Sequence, residues 1–93
     1  MAYRSYMLIR LRDSQPSKQR VACASVMQVS GVEFVDAVTG GPCDLIAIVE
    51  SAAPDATAGA MAEIEGIAGV TVCRVTDVSA DPGMPVRTDG GAP

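Results

Sequence analysis

The chain nearly repeats itself, and the length of the repeat limits what it can fold into. Val-Ser-Gly-Val at Val29–Val32 returns as Ile-Ala-Gly-Val at Ile67–Val70, which places Gly31 and Gly69 38 residues apart. The apolar run that opens at Met7 returns at Leu45 with the same offset. That interval is too long for a hairpin and suits a strand–helix–strand unit of about 30 or more residues. Two such units in series give β-α-β-β-α-β. The expected fold is therefore α+β and ferredoxin-like, a four-stranded antiparallel sheet with two helices on one face.

Local signals fill in the elements. A first strand is expected over Tyr6–Arg12. Pro16 then opens a helix over Ser17–Val29, because a proline in the first turn forfeits no hydrogen bond. Ala22, Cys23, Val26, Met27 and Val29 share its apolar face, and Arg20, Ala24 and Gln28 look outward. Gly31 ends it as a left-handed cap. Strands Val32–Thr39 and Asp44–Glu50 follow, joined by the turn Gly40–Gly41–Pro42. Ala53, Pro54 and Asp55 open a second helix carrying Thr57, Met61, Ile64 and Ala68 at helical spacing. Gly59 weakens it by up to about 1 kcal/mol relative to alanine. Gly69 is expected to close it, with a last strand over Val70–Val78. Residues 1–79 read as one domain. The Pro- and Gly-rich residues 80–93 cannot recover the entropy of ordering and read as a disordered tail.

Polarity along the strands agrees with this topology. The first and third strands are the apolar ones, as central strands should be. The second and fourth carry Glu33, Asp36, Arg74 and Asp77, charges that discourage strand addition at an edge. The helices cover one sheet face, and the other would normally be polar. Here Leu45–Val49 leaves neither face polar, and Tyr6 and Leu8 lie opposite Met7, Ile9 and Leu11. An apolar patch of several hundred Å² on a small subunit demands a cover. A second copy, sheet against sheet, is the simplest one, so a homodimer is expected, as a dimeric α/β barrel or sandwich.

With 93 residues, the chain buries little over about 60% of its unfolded surface, so a lone subunit would be marginal. The net charge of −4 hides an asymmetry. Residues 1–20 carry Arg4, Arg10, Arg12, Lys18 and Arg20 against Asp13 alone, so the basic end of one subunit can meet the acidic surface of another. An acidic chain with 3% aromatics and no helix-turn-helix is a poor direct partner for nucleic acid. No run is long and apolar enough for a bilayer, and the N-terminus lacks a secretory apolar region. Cys23, Cys43 and Cys73 are odd in number and widely spaced, which argues against a disulfide framework or zinc site and fits a cytoplasmic location. Cys23 and Cys73 read as small buried hydrophobes, and Cys43 as the thiol exposed enough to react.

No catalytic constellation is present. There is no histidine, the commonest general base and metal ligand. No C-x-x-C pair or G-x-S-x-G elbow occurs, and Gly40–Gly41 lacks the Lys-Ser/Thr of a phosphate loop. Glu63 and Glu65, two apart on the expected helix, point in different directions. No cofactor and no metal is expected. What remains is the segment from Val38 to Ala47. Gly40 and Gly41 let a ligand approach the backbone and leave amides for a small anion, such as an amino acid carboxylate. Asp44 can meet an ammonium group, and Thr39 adds a hydroxyl. The other reading of the same residues is a plain Gly-Gly-Pro turn, with Asp44 bonded only to backbone.

Gly31-Val32, Val38-Thr39-Gly40, Asp44-Leu45-Ile46-Ala47 and Gly69-Val70 fall in the order and spacing of a known family. Over roughly residues 4–78 the sequence resembles the C-terminal effector-binding and oligomerisation domain of Lrp/AsnC transcriptional regulators. The family's helix-turn-helix has no counterpart here, so the resemblance is to a stand-alone version of that domain. It implies dimerisation through the sheets, assembly into higher oligomers, and an amino acid or related metabolite bound between dimers near the turn. Transferred by position, the ligand site is Thr39, Gly40, Gly41 and Asp44. The family's turn is one residue shorter and has an aromatic before the aspartate, where this chain has Gly41-Pro42-Cys43. A full-length regulator of the same family is an expected partner. Two other functions fit the same architecture: a dimeric α+β-barrel enzyme such as a small monooxygenase, and a purely structural oligomerisation subunit.

Overall fold

Two prolines set the helices. Pro16 opens α1 (Pro16–Met27) and Pro54 opens α2 (Pro54–Ala62), 38 residues apart as the repeat requires. Neither start has a side-chain cap, so the preset φ of proline is what fixes each first turn. The structure, a computed structural model, describes residues 3–76. Around the helices run β1 (Tyr3–Leu11), β2 (Val32–Ala37), β3 (Leu45–Ser51) and β4 (Ile67–Arg74). The expected tail over residues 80–93, along with Asp77 and Val78, lies outside the described residues.

The strands form one antiparallel sheet in the order β2-β3-β1-β4. The apolar strands are central and the charged ones are edges, as their sequences indicate. With both helices on one face, this is the ferredoxin-like α+β fold. Met7 and Ile9 of β1, Leu45, Ala47 and Val49 of β3, Ala22 and Val26 of α1, Met61 of α2 and Ile67 of β4 make the core between the layers. Burial of these side chains is the main stabilising term, at about 1.5–3 kcal/mol for each large one.

The second half departs from the expected boundaries. α2 has 9 residues against 12 in α1, so the chain leaves it three residues earlier. Gly66 (φ +92) therefore takes the role expected of Gly69 and matches Gly31 (φ +94). Gly66 also accepts a 2.9 Å bond through its carbonyl from the Arg12 amide. Strand β4 begins at Ile67, not Val70, and Ala68 lies in the strand rather than on the helix. Glu63 is the C-cap and Glu65 lies beyond the helix. On α1, Met27 is exposed and Gln19 is buried in line with Ala22 and Val26. Strand β2 stops at Ala37, short of Thr39.

Gly31 has a second constraint. A Cβ there would sit 2.8 Å from the Glu50 carbonyl oxygen, while its own carbonyl accepts the Glu50 amide at 2.8 Å. The α1–β2 connection is thus pressed against the end of β3.

Candidate functional site

The segment from Val38 to Asp44 leaves β2, turns at Gly40 (φ +78) and re-enters the sheet at β3. Thr39, Gly40, Gly41 and Pro42 are exposed at its tip, and Asp44 is half-buried at its base. The Val38 amide donates to the Asp44 carbonyl at 3.0 Å, closing the loop. From α1, the Gln19 Nε2 amide donates to the carbonyls of both Val38 and Asp44 at 3.2 Å. The helix therefore clamps both legs of the turn. A buried polar side chain needs partners, and these two carbonyls supply them.

Asp44 also binds the end of β1. Its amide donates to the Ile9 carbonyl at 2.8 Å. Its Oδ2 accepts the Leu11 amide at 2.7 Å. That bond occupies an amide where β1 slips register against β4 between Arg10 and Leu11. Asp44 is thus a junction of turn, helix and central strand. The structure brings Thr39, Gly40, Gly41 and Asp44 onto one turn, and it gives Asp44 a structural task through Oδ2. Oδ1 has no protein donor among the described residues.

Sequence reading missed Gln19. The available signal was its spacing, three and seven residues before Ala22 and Val26 on the face that packs. The cysteines also correct the expectation. Cys43 is buried, Cys73 is exposed and Cys23 is intermediate. Cys43 precedes Asp44, whose backbone is pinned to β1, and is drawn inward with it. Burial pushes the Cys23 thiol pKa up, with a smaller push from the Asp36 carboxylate.

The face away from the helices is the second candidate surface. Cross-strand register lays Phe34, Ile48, Tyr6 and Cys73 in one row across the sheet. The next row is Asp36, Ile46, Leu8 and Thr71. Phe34 is 63% exposed and Tyr6 38%. Tyr6 and Leu8 thus lie opposite Met7 and Ile9, as expected, with Tyr6 exposed and Leu8 half-buried among the described residues. A groove of about 520 Å³ runs along this face, lined by Arg4, Tyr6, Glu33, Phe34, Ile48 and Glu50. Arg4 and Glu50 form an exposed 3.4 Å ion pair at its edge, the kind of pair that contributes little by itself.

Arg10 lies further along the same face. Its guanidinium rests over Gly69 of β4, where an added Cβ would fall 2.7 Å from Nη2. Gly69 is therefore a floor for an arginine, not a helix end. Among the described residues, no three His, Cys, Asp or Glu side chains cluster as a metal site would require. No described helix is long and apolar enough to cross a membrane.

Comparison with known proteins places the fold. No family model matches the chain, and no curated protein does. Solved structures share its architecture, two of them as follows. TTHA0845 from Thermus thermophilus superposes with a TM-score of 0.72 at 20% identity, over 87% of this chain and 100% of that one. PH0061 superposes with a TM-score of 0.64 at 15% identity, over 86% of this chain. This chain spans 55% of PH0061. At such identities the likeness is one of fold: the chain is similar in its ferredoxin-like architecture to both proteins.

Proposed function

We propose that this chain is a non-enzymatic metabolite-binding and oligomerisation module of the Lrp/AsnC type. In this reading it dimerises through the open sheet face and binds a small amino acid at the Thr39–Asp44 turn. Such a module acts on transcription through assembly with a full-length regulator rather than by touching DNA. The observation that carries the reading is the Phe34–Ile48–Tyr6 row beside Ile46 and Leu8, in which Phe34 and Tyr6 are exposed among the described residues. Four strands about 4.8 Å apart and some seven residues long span roughly 450 Å². The apolar side chains fill the middle of that area between Arg4, Glu50, Asp36 and Arg10, and an exposed apolar patch of a few hundred Å² rimmed by polar residues marks an interaction site. A stable interface takes about 800 Å² from each partner, so strand edges and the neighbouring turn must join it. Enclosure of the turn by a second dimer is what would turn an exposed Gly40–Gly41 tip into a pocket.

Two measurements test this. Sedimentation at micromolar protein should give a dimer or larger assembly, and Ile48→Asp should shift it toward monomer by placing a charge in the centre of the face. Titration calorimetry against the twenty amino acids, with assembly state followed in parallel, should find a binder. A folded wild-type monomer refutes the dimer. Silence across the panel with no change in assembly refutes the sensor.

A further inference from the structure

We propose that Arg10 and Asp44 together recognise the two charged ends of a free α-amino acid, the guanidinium taking the carboxylate and Asp44 Oδ1 the ammonium. This rests on the reading of the Thr39–Asp44 turn as a ligand site and names the chemistry that site selects.

The placement comes from three contacts. Asp44 brackets Arg10 along the chain, its amide on the Ile9 carbonyl and its Oδ2 on the Leu11 amide. The two opposite charges are therefore adjacent at one end of the sheet, yet they do not pair with each other. Asp44 is turned to Leu11, and Arg10 is laid the other way over Gly69. Among the described residues the ion pairs are Arg4–Glu50 and Arg74–Asp55, and Arg10 has no acidic partner. Adjacent unlike charges on one face of a sheet ordinarily attract. Here backbone bonding holds one and a glycine floor receives the other.

A guanidinium carries a planar fork of donors, the geometry that binds a carboxylate through two parallel bonds. Asp44 Oδ1 remains an acceptor for an ammonium. A ligand carrying both charges on one carbon satisfies both groups. A simple carboxylate or a simple amine engages one group and leaves the other to water, so it gains one of the two interactions.

Gly69 supplies an unusual test. Its φ lies outside the left-handed region, so Gly69→Ala is tolerated by the backbone. The new methyl meets only the far end of a flexible side chain, and it evicts the guanidinium without removing its charge. Calorimetry on the full chain uses the best binder of the twenty amino acids, its α-amide and its N-acetyl derivative. Arg10→Gln and Gly69→Ala should each weaken the free amino acid at least tenfold while circular dichroism stays that of wild type. The amide and the N-acetyl derivative should each bind wild type at least tenfold more weakly. Equal binding by either derivative, or wild-type affinity in both variants, overturns the recognition scheme while leaving the sensor in place. An Arg10→Gln effect confined to dimer dissociation assigns the guanidinium to the subunit interface and overturns it as well. If no amino acid binds wild type, the sensor reading itself fails, and this scheme falls with it.

Discussion

Gly31 and Gly66 make a matched pair for separating backbone strain from a steric clash. Both have φ near +90°, at +94° and +92°, and both sit between a helix and the edge strand that follows it. Alanine in the left-handed region costs about 1–2 kcal/mol. Against that, alanine stiffens the unfolded chain and returns about 0.4–1 kcal/mol. At Gly66 nothing lies within 4 Å of an added Cβ, so Gly66→Ala should destabilise by about 1 kcal/mol or less. At Gly31 the Cβ would lie 2.8 Å from the backbone oxygen of Glu50, and that carbonyl cannot rotate away as a side chain would. The Glu50 amide is simultaneously held by the Gly31 carbonyl at 2.8 Å, so relief strains that bond. Overpacking of this kind adds about 1–3 kcal/mol. Gly31→Ala should then cost about 2–4 kcal/mol in total. Urea denaturation of both variants at one fixed protomer concentration measures the difference, since the proposed dimerisation would make stability depend on concentration. Equal losses at the two sites, with unchanged m-values, would refute the argument, because the φ values alone would then account for both.

Three further outcomes follow from the junction at Asp44 and from the thiols. Asp44→Ala removes the acceptor of the Leu11 amide and should destabilise by about 1.5–3 kcal/mol, as expected for a hydrogen bond to a charged group. Asp44→Asn keeps an acceptor oxygen there and should cost clearly less by the same urea assay. A thiol reagent on native protein should modify Cys73 first, Cys23 more slowly and Cys43 only with unfolding, read by mass spectrometry of the labelled peptides. The raised Cys23 pKa also has a pH signature. The folded chain holds this proton more tightly than the unfolded one, whose thiol titrates near 9.0. The associated stability is complete below that pH and is lost as pH rises through the folded value. Urea midpoints from pH 8 to 10 should therefore fall more steeply in wild type than in Cys23→Ala.

The repeat itself carried the topology. An interval of 38 residues between the two halves left room for a helix in each, and the contrast of apolar and charged strands placed β3 and β1 inside and β2 and β4 outside. Residue parity on β1 put Tyr6 and Leu8 on the face away from Met7 and Ile9, because side chains alternate along a strand whatever packs against it. These are local rules, and they act within a few residues.

What went beyond the sequence was decided by contacts between distant segments. Gly69 had the spacing of a helix cap, yet α2 stopped early and Gly66 took that place. Gly69 instead meets Arg10, 59 positions away in the chain. Cys43 looked exposed beside Gly-Gly-Pro, but Asp44 is pinned to Ile9 and Leu11 and draws it inward. The Gln19 side chain has no partner within its own segment, and Val38 and Asp44 bring two carbonyls to it. Periodicity and turn chemistry fix where elements begin and which way their side chains point. Which polar group is consumed and which is left open depends on partners that only the folded chain brings within hydrogen-bond range.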